Sequence, residues 1–190
     1  TFNTELMVNT GLLPAGNGIS TSVYARNEFP YSLANLFSSA GYTARSFHGS
    51  EGDVYNRESI HSNWGYEDYY SGIDMGMENY MLDSQMINAY DEMTEGSPFF
   101  TFIITFSGHG PYTMDSPSAV HYEDAKQIAQ RSEENYIHAV AHAMETDLFI
   151  DELFSRLEDD GLLQDTVLIF YADHYNYYML DDPLNMEIKG

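Results

Sequence analysis

A chain of 190 residues with 43% apolar content is long enough to bury one sizeable core and short for two. Thirty Asp and Glu against seven Lys and Arg give a formal charge of −23, which repels nucleic acid and anionic membrane surfaces and excludes a nucleic-acid partner. The lack of cysteine removes disulfides and thiolate metal sites, and no run reaches the roughly 20 apolar residues of a membrane-spanning helix.

In chain order, the pattern predicts a helix over residues 30–40 closed by Gly41, then a strand over 42–48. Helices follow over 57–63, closed by Trp64-Gly65, and over 78–93, closed near Gly96. The nearly continuous apolar run 99–106 reads as a strand buried on both faces, and 166–172 repeats that pattern. Between them, Ile137, Val140, Met144, Leu148, Leu153 and Leu157 mark an amphipathic helix over 133–160, with Ser132 as its N-cap and Gly161 as its C-cap. Loops are expected at 13–27, 49–53, 71–76 and 108–130. This alternation predicts a single α/β domain whose mostly parallel central sheet is covered by helices on both faces. Ligands of such sheets gather beyond the carboxyl ends of strands, which singles out His48, the run Ser107-Gly108-His109-Gly110, and Asp173-His174.

Asp173 and His174 follow an apolar run, so a carboxylate oxygen and an imidazole nitrogen can converge on one Mn, Zn or Mg ion. The alternative is a structural pair. A bound cation would also give so acidic a chain the positive centre that an anionic substrate needs. His109, uncrowded between glycines, suits holding a phosphate oxygen or protonating a leaving group; otherwise it is an exposed residue of a glycine-rich turn. Arg57, beside Tyr55 and Asn56, suits a bidentate phosphate contact or a surface ion pair with Glu51 or Glu58. His138 and His142 share the metal-binding spacing of four but lack the accompanying Glu of a zinc-protease motif, and read as ordinary helix-face residues. His61 and His121 have no supporting context, and the sixteen Tyr and eleven Phe read as packing.

Taken in order, these segments resemble the extracellular catalytic domain of lipoteichoic acid synthases, phosphoglycerol transferases of the alkaline phosphatase and sulfatase superfamily. The resemblance rests on Thr1-Phe2-Asn3-Thr4-Glu5-Leu6 with Leu12-Leu13-Pro14, on Gly41-Tyr42 through His48 with Tyr55-Asn56-Arg57 and Gly65-Tyr66, on Pro98-Phe99-Phe100 through His109, and on Tyr171-Ala172-Asp173-His174-Tyr175. It implies an alkaline-phosphatase/sulfatase-like fold, of which residues 1–190 form one partial catalytic domain. It further implies Thr1 as nucleophile and metal ligand, Asp173 and His174 as the other metal ligands present, and Mn as the cation, with Mg or Zn as alternatives. His48, Tyr55, Arg57 and His109 would bind substrate. The implied partners are a phospholipid head group and a glycerol-phosphate acceptor at the extracellular face of the bacterial membrane, with membrane anchoring and a further acidic metal ligand supplied from outside this chain.

Two related activities and one binding role compete. A sulfatase would carry Cys/Ser-x-Pro-x-Arg, which is absent, and a phosphoethanolamine transferase typically follows Asp-His with Gly-Glu, where Tyr175-Asn176 stands here. The third is a non-catalytic cell-envelope binding module of the same fold.

Overall fold

The computed structural model describes residues 2–15, 21–80, 82–174 and 176. Helix α1, Phe2–Thr10, and the single turn α2, Thr21–Tyr24, precede helix α3, Leu33–Ser39, and strand β1, Thr43–His48. Helix α4, Arg57–Asn63, leads to strand β2, Asp68–Tyr70, and a 3-10 segment, Asp83–Ala89, runs on into α5, Tyr90–Thr94. Strand β3, Phe99–Ile104, is followed by a 3-10 turn, Pro117–His121, then α6, Tyr122–Ile128, and the long α7, Glu134–Asp159.

The strands form one sheet in the order β2-β1-β3, and both pairings are parallel. Parallel strands need crossover connections, which α4 and the 3-10 segment with α5 provide. Side chains alternate between the two faces. Ala44, Phe100, Phe102 and Ile104 therefore share a core with Leu6 of α1, Ala34 of α3 and Ile60 of α4. Phe47, Phe99 and Ile103 enter the opposite core with Met86, Met93 and the α7 residues Phe149, Leu153 and Leu157. Helices thus cover both faces, as the alternating pattern predicts. Register sets His48 opposite Ile104, so the carboxyl ends of β1 and β3 open side by side.

Local chemistry explains where the predicted boundaries hold. Helix α4 occupies the predicted residues. The helix expected over 30–40 contracts to Leu33–Ser39 because Ser32 is its N-cap, accepting a hydrogen bond from the Asn35 N–H. The capping position of α7 is Glu133 (φ −68°, ψ 131°) rather than Ser132. Its end is as predicted: Gly161 turns left-handed at φ 70°, and the Leu162 N–H closes on the Leu157 carbonyl at 2.8 Å.

Four expectations are corrected. The helix over 78–93 is broken, because the Gln85 side chain takes the Glu78 N–H and the Asp83 N–H donates to Ser107 Oγ at 2.8 Å. The loop over 108–130 contains α6, and that over 13–27 contains α2. The strand over 166–172 has no ladder partner among the described residues. Thr166 is extended (φ −107°, ψ 131°), yet Val167 and Ile169 are 85% and 79% exposed; Leu168 packs onto the α7 core, and the exposed Phe170 stacks on Phe154 of α7. Apolar composition alone does not make a strand; pairing does.

Candidate functional site

The first turn of α1 carries Glu5, and α4 begins at Arg57 and carries His61 one turn later. All three side chains are buried and converge. Arg57 Nε donates to Glu5 Oε1 and Oε2 at 3.1 and 3.0 Å, and Nη2 stands 3.0 Å from Oε2. His61 Nε2 lies 2.7 Å from Glu5 Oε1, and His61 Nδ1 lies 2.8 Å from Ser46 Oγ on β1. Burial works against the Glu5 carboxylate, but the His61 hydrogen bond and the Arg57 charge outweigh it and hold its pKa below the usual range. Burial lowers the His61 pKa despite the neighbouring carboxylate. The network is therefore ionised Glu5, charged Arg57 and neutral His61. An ionised carboxylate only accepts, so Nε2 carries the imidazole proton and Nδ1 accepts from Ser46. Arg57 thus makes a buried ion pair with Glu5, not a surface pair with Glu51 or Glu58.

Tyr55 and Asn56, just before α4, both have left-handed backbones, at φ 60° and 57°. Such conformations are uncommon for bulky residues and cluster where function needs an exact orientation. Here the turn lays the half-exposed Tyr55 ring 5.0 Å from the Arg57 guanidinium carbon. At the end of β1, His48 is 2% exposed and its Nδ1 finds no hydrogen-bond partner among the described residues. Burial first, and then the Arg57 charge, push its pKa down to about 3, so it is a neutral imidazole at physiological pH.

Beyond β3 the chain runs back toward the same place. The Phe106 ring lies 6.2 Å from that of His48 and stacks on His109 at 5.8 Å, and His109 meets His174 edge-on at 6.2 Å. His174 Nε2 is 3.2 Å from Asp173 Oδ1. Thr4 Oγ1 donates to the Asp173 carbonyl at 2.5 Å, tying this segment to α1. His48, Arg57, His109, Asp173 and His174, five of the seven residues singled out from the sequence, are thereby connected through Phe106 and through Thr4 and Glu5 of α1. Tyr55 joins them through Arg57. Thr1 lies outside the described residues.

Asp83 fixes the β3 loop. Its carboxylate accepts from the Phe106 and Ser107 N–H groups at 2.7 and 3.1 Å and from Thr146 Oγ1 at 2.7 Å. His142 Nδ1 donates to the Ser107 carbonyl at 2.8 Å and so supports the loop, while His138 packs on the Tyr122 ring of α6 at 4.6 Å; both are buried rather than on an ordinary helix face.

As a donor set, an oxygen and an imidazole nitrogen side by side fit a divalent cation of the Mn, Mg or Zn kind. No group of three or more His, Asp or Glu with metal-binding spacing occurs among the described residues. The sequence Ser46, His61, Glu5 has the order of a hydrolytic triad, but Ser46 is wholly buried inside the sheet and no substrate can reach it.

Glu5 and His61 escaped prediction because their partners lie 52 and 56 residues away in sequence. One signal was present: His61 follows Arg57 by four, which puts both on one face of α4.

The family model described as Sulfatase matches residues 1–181. The chain belongs to the sulfatase family. This sulfatase-family chain is 28% identical over 183 residues to lipoteichoic acid synthase 2 of Bacillus subtilis (strain 168), covering 92% of the chain and 27% of that protein. To the lipoteichoic acid synthase of Staphylococcus aureus (strain USA300) it is 22% identical over 185 residues, 92% of the chain and 28% of that protein. It spans about a quarter of the length of these curated relatives. The crystal structure of the lipoteichoic acid synthase LtaP from Listeria monocytogenes matches with a TM-score of 0.75 and 25% identity, over 98% of this chain and 47% of that one. An alkaline phosphatase superfamily protein from Vibrio parahaemolyticus shares the fold, with a TM-score of 0.54 and 21% identity over 78% and 38% of the two chains. The fold expected for the sulfatase family is therefore the one observed.

Proposed function

We propose that the chain is the catalytic part of a metal-dependent phosphoglycerol transferase. It would act on phosphatidylglycerol-type lipid at the extracellular face of the bacterial membrane, in the synthesis of lipoteichoic acid or a related cell-envelope polymer. The observation that carries this reading is the convergence of His48, Arg57, His109, Asp173 and His174 on the carboxyl end of the sheet and α1, in a fold shared over nearly the whole chain with a lipoteichoic acid synthase.

In the first step the Thr1 hydroxyl attacks the phosphorus of the lipid. The bond from phosphorus to the diacylglycerol oxygen breaks, diacylglycerol leaves with a proton, and phosphoglyceryl-threonine remains. In the second, a hydroxyl of the glycerol-phosphate acceptor attacks the same phosphorus and the Thr1 oxygen leaves, regenerating the hydroxyl. A divalent cation held by Thr1, Asp173 and His174, Mn in the first instance, would lower the hydroxyl pKa and offset phosphoryl charge. Arg57 contributes a fixed positive charge against the phosphoryl oxygens, which matters more in a dry site than in water. Neutral His48, buried at the end of β1, would line the pocket from below without adding charge. The exposed His109, stacked on Phe106, is placed to donate a proton to the departing diacylglycerol oxygen. Tyr55 shields Arg57 from solvent. No helix among the described residues is long and apolar enough to cross a membrane.

The test is diacylglycerol release from phosphatidylglycerol vesicles by the intact protein. Turnover is expected to vanish with Thr1→Ala and with chelator, and to return when Mn is added back. Equal rates for the parent and Thr1→Ala would remove Thr1 from the chemistry.

A further inference from the structure

The geometry points to Glu5 as the residue that positions Arg57 for phosphate, its carboxylate occupying one edge of the guanidinium and leaving the opposite fork to the substrate. This rests on the phosphoglycerol reading of the site. A guanidinium has two bidentate edges: Nε with one terminal nitrogen, and the two terminal nitrogens together. Glu5 accepts from Nε and stands 3.0 Å from Nη2, so it takes the side edge. The end fork of Nη1 and Nη2 is the edge that remains suited to two phosphoryl oxygens.

Glu5 is itself held from several directions. His61 Nε2 binds Oε1 at 2.7 Å, with Ser46 Oγ behind it on Nδ1, and Asn9 Nδ2 donates to the Glu5 main-chain carbonyl at 3.0 Å. The residue is 5% exposed, so its carboxylate cannot turn without breaking bonds that water would not replace. α1 and α4 are thereby locked at a buried point four residues from Thr1, the proposed nucleophile. A guanidinium fixed in this way pays little ordering cost when the phosphoryl group arrives.

Electrostatics alone makes the opposite forecast. A negative charge 3.0 Å from Arg57 weakens the attraction for an anion, so neutralising Glu5 should tighten phosphate binding if position did not matter. The experiment is titration of glycerol phosphate into the intact protein, for the parent, Glu5→Gln, Glu5→Asp, Arg57→Ala and the double variant Glu5→Gln/Arg57→Ala, with thermal unfolding to verify folding. Positioning predicts that Glu5→Gln weakens binding by about tenfold, the scale of a lost charge-assisted hydrogen bond. It also predicts no added effect of Glu5→Gln once Arg57 is gone, because the two act as one unit. Glu5→Asp keeps the charge but withdraws the carboxylate by one methylene, and should also weaken binding; it carries the comparison if the Gln variant fails to fold. Unchanged or tighter binding in a folded Glu5 variant, with binding still dependent on Arg57, overturns the positioning role alone. A parent that binds no glycerol phosphate overturns the phosphoglycerol reading and this inference with it.

Discussion

The two faces of one sheet are built from different chemistry. On the α7 face, Phe47 meets Met86, Met93, Phe149, Leu153 and Leu157 in an apolar core, stabilised by contacts that can be made in many ways. On the α1 and α4 face, Trp64 and Phe102 surround a buried carboxylate, guanidinium and imidazole. A buried ion pair contributes little net stability, because desolvation consumes most of the Coulomb gain. The first face holds the domain together, and the second holds a charge in place.

The largest test separates these roles. Glu5→Ala should cost about 3–5 kcal/mol in urea denaturation, since it strands a buried Arg57. Phe47→Ala should cost a similar amount, about 3–5 kcal/mol, through its cavity. The double change Glu5→Leu/Arg57→Met should recover most of the first loss, whereas adding Leu153→Ala to Phe47→Ala should only deepen the second. Equal behaviour of the two pairs would erase the distinction between the faces.

Acid should also unfold the charged face first. The His48 pKa of about 3 in the fold lies below its ordinary 6.5, so the unfolded chain binds the extra proton between these values. Stability is complete above about pH 6.5 and is lost as the pH falls toward 3, by an amount on the order of a few kcal/mol. Glu5, lowered from 4.5, adds a loss of the same sign at still lower pH. His48→Gln should flatten the stability profile between pH 4 and 6.5, as followed by denaturant melts.

A smaller effect is expected at Asp83, which lies under the loop that carries His109. Asp83→Asn puts an amide where two backbone N–H groups and Thr146 donate, at a cost of about 1–3 kcal/mol. Amide exchange should quicken at Phe106 and Ser107, while the α1 and α4 pair keeps its protection. The smallest effect is predicted for Ile169→Thr, within about 0.5 kcal/mol, since the side chain is 79% exposed. A loss of several kcal/mol there would restore the buried strand expected from the sequence.

The elements legible in the sequence were those with a complete local signal. α7 has apolar residues recurring every three to five positions and a glycine that stops it, although Phe149 is buried where Leu148 was expected, and β3 is a compact apolar run ending in polar residues. The strand β2 spans three residues, too few to show alternation, and α1 has almost no apolar periodicity. The run 166–172 misled because its composition is that of a buried strand, while pairing depends on a neighbour that composition does not report. At the site, strand ends drew attention to His48 and His109. Glu5 and His61 stayed hidden because a charge is recognisable as buried only after distant segments pack around it.

The most direct measurement is intact and peptide mass spectrometry of the protein quenched during turnover on phosphatidylglycerol. The account predicts one added phosphoglyceryl group, located on Thr1 and lost when acceptor is supplied. Turnover with no adduct, or with the group on another residue, would contradict it.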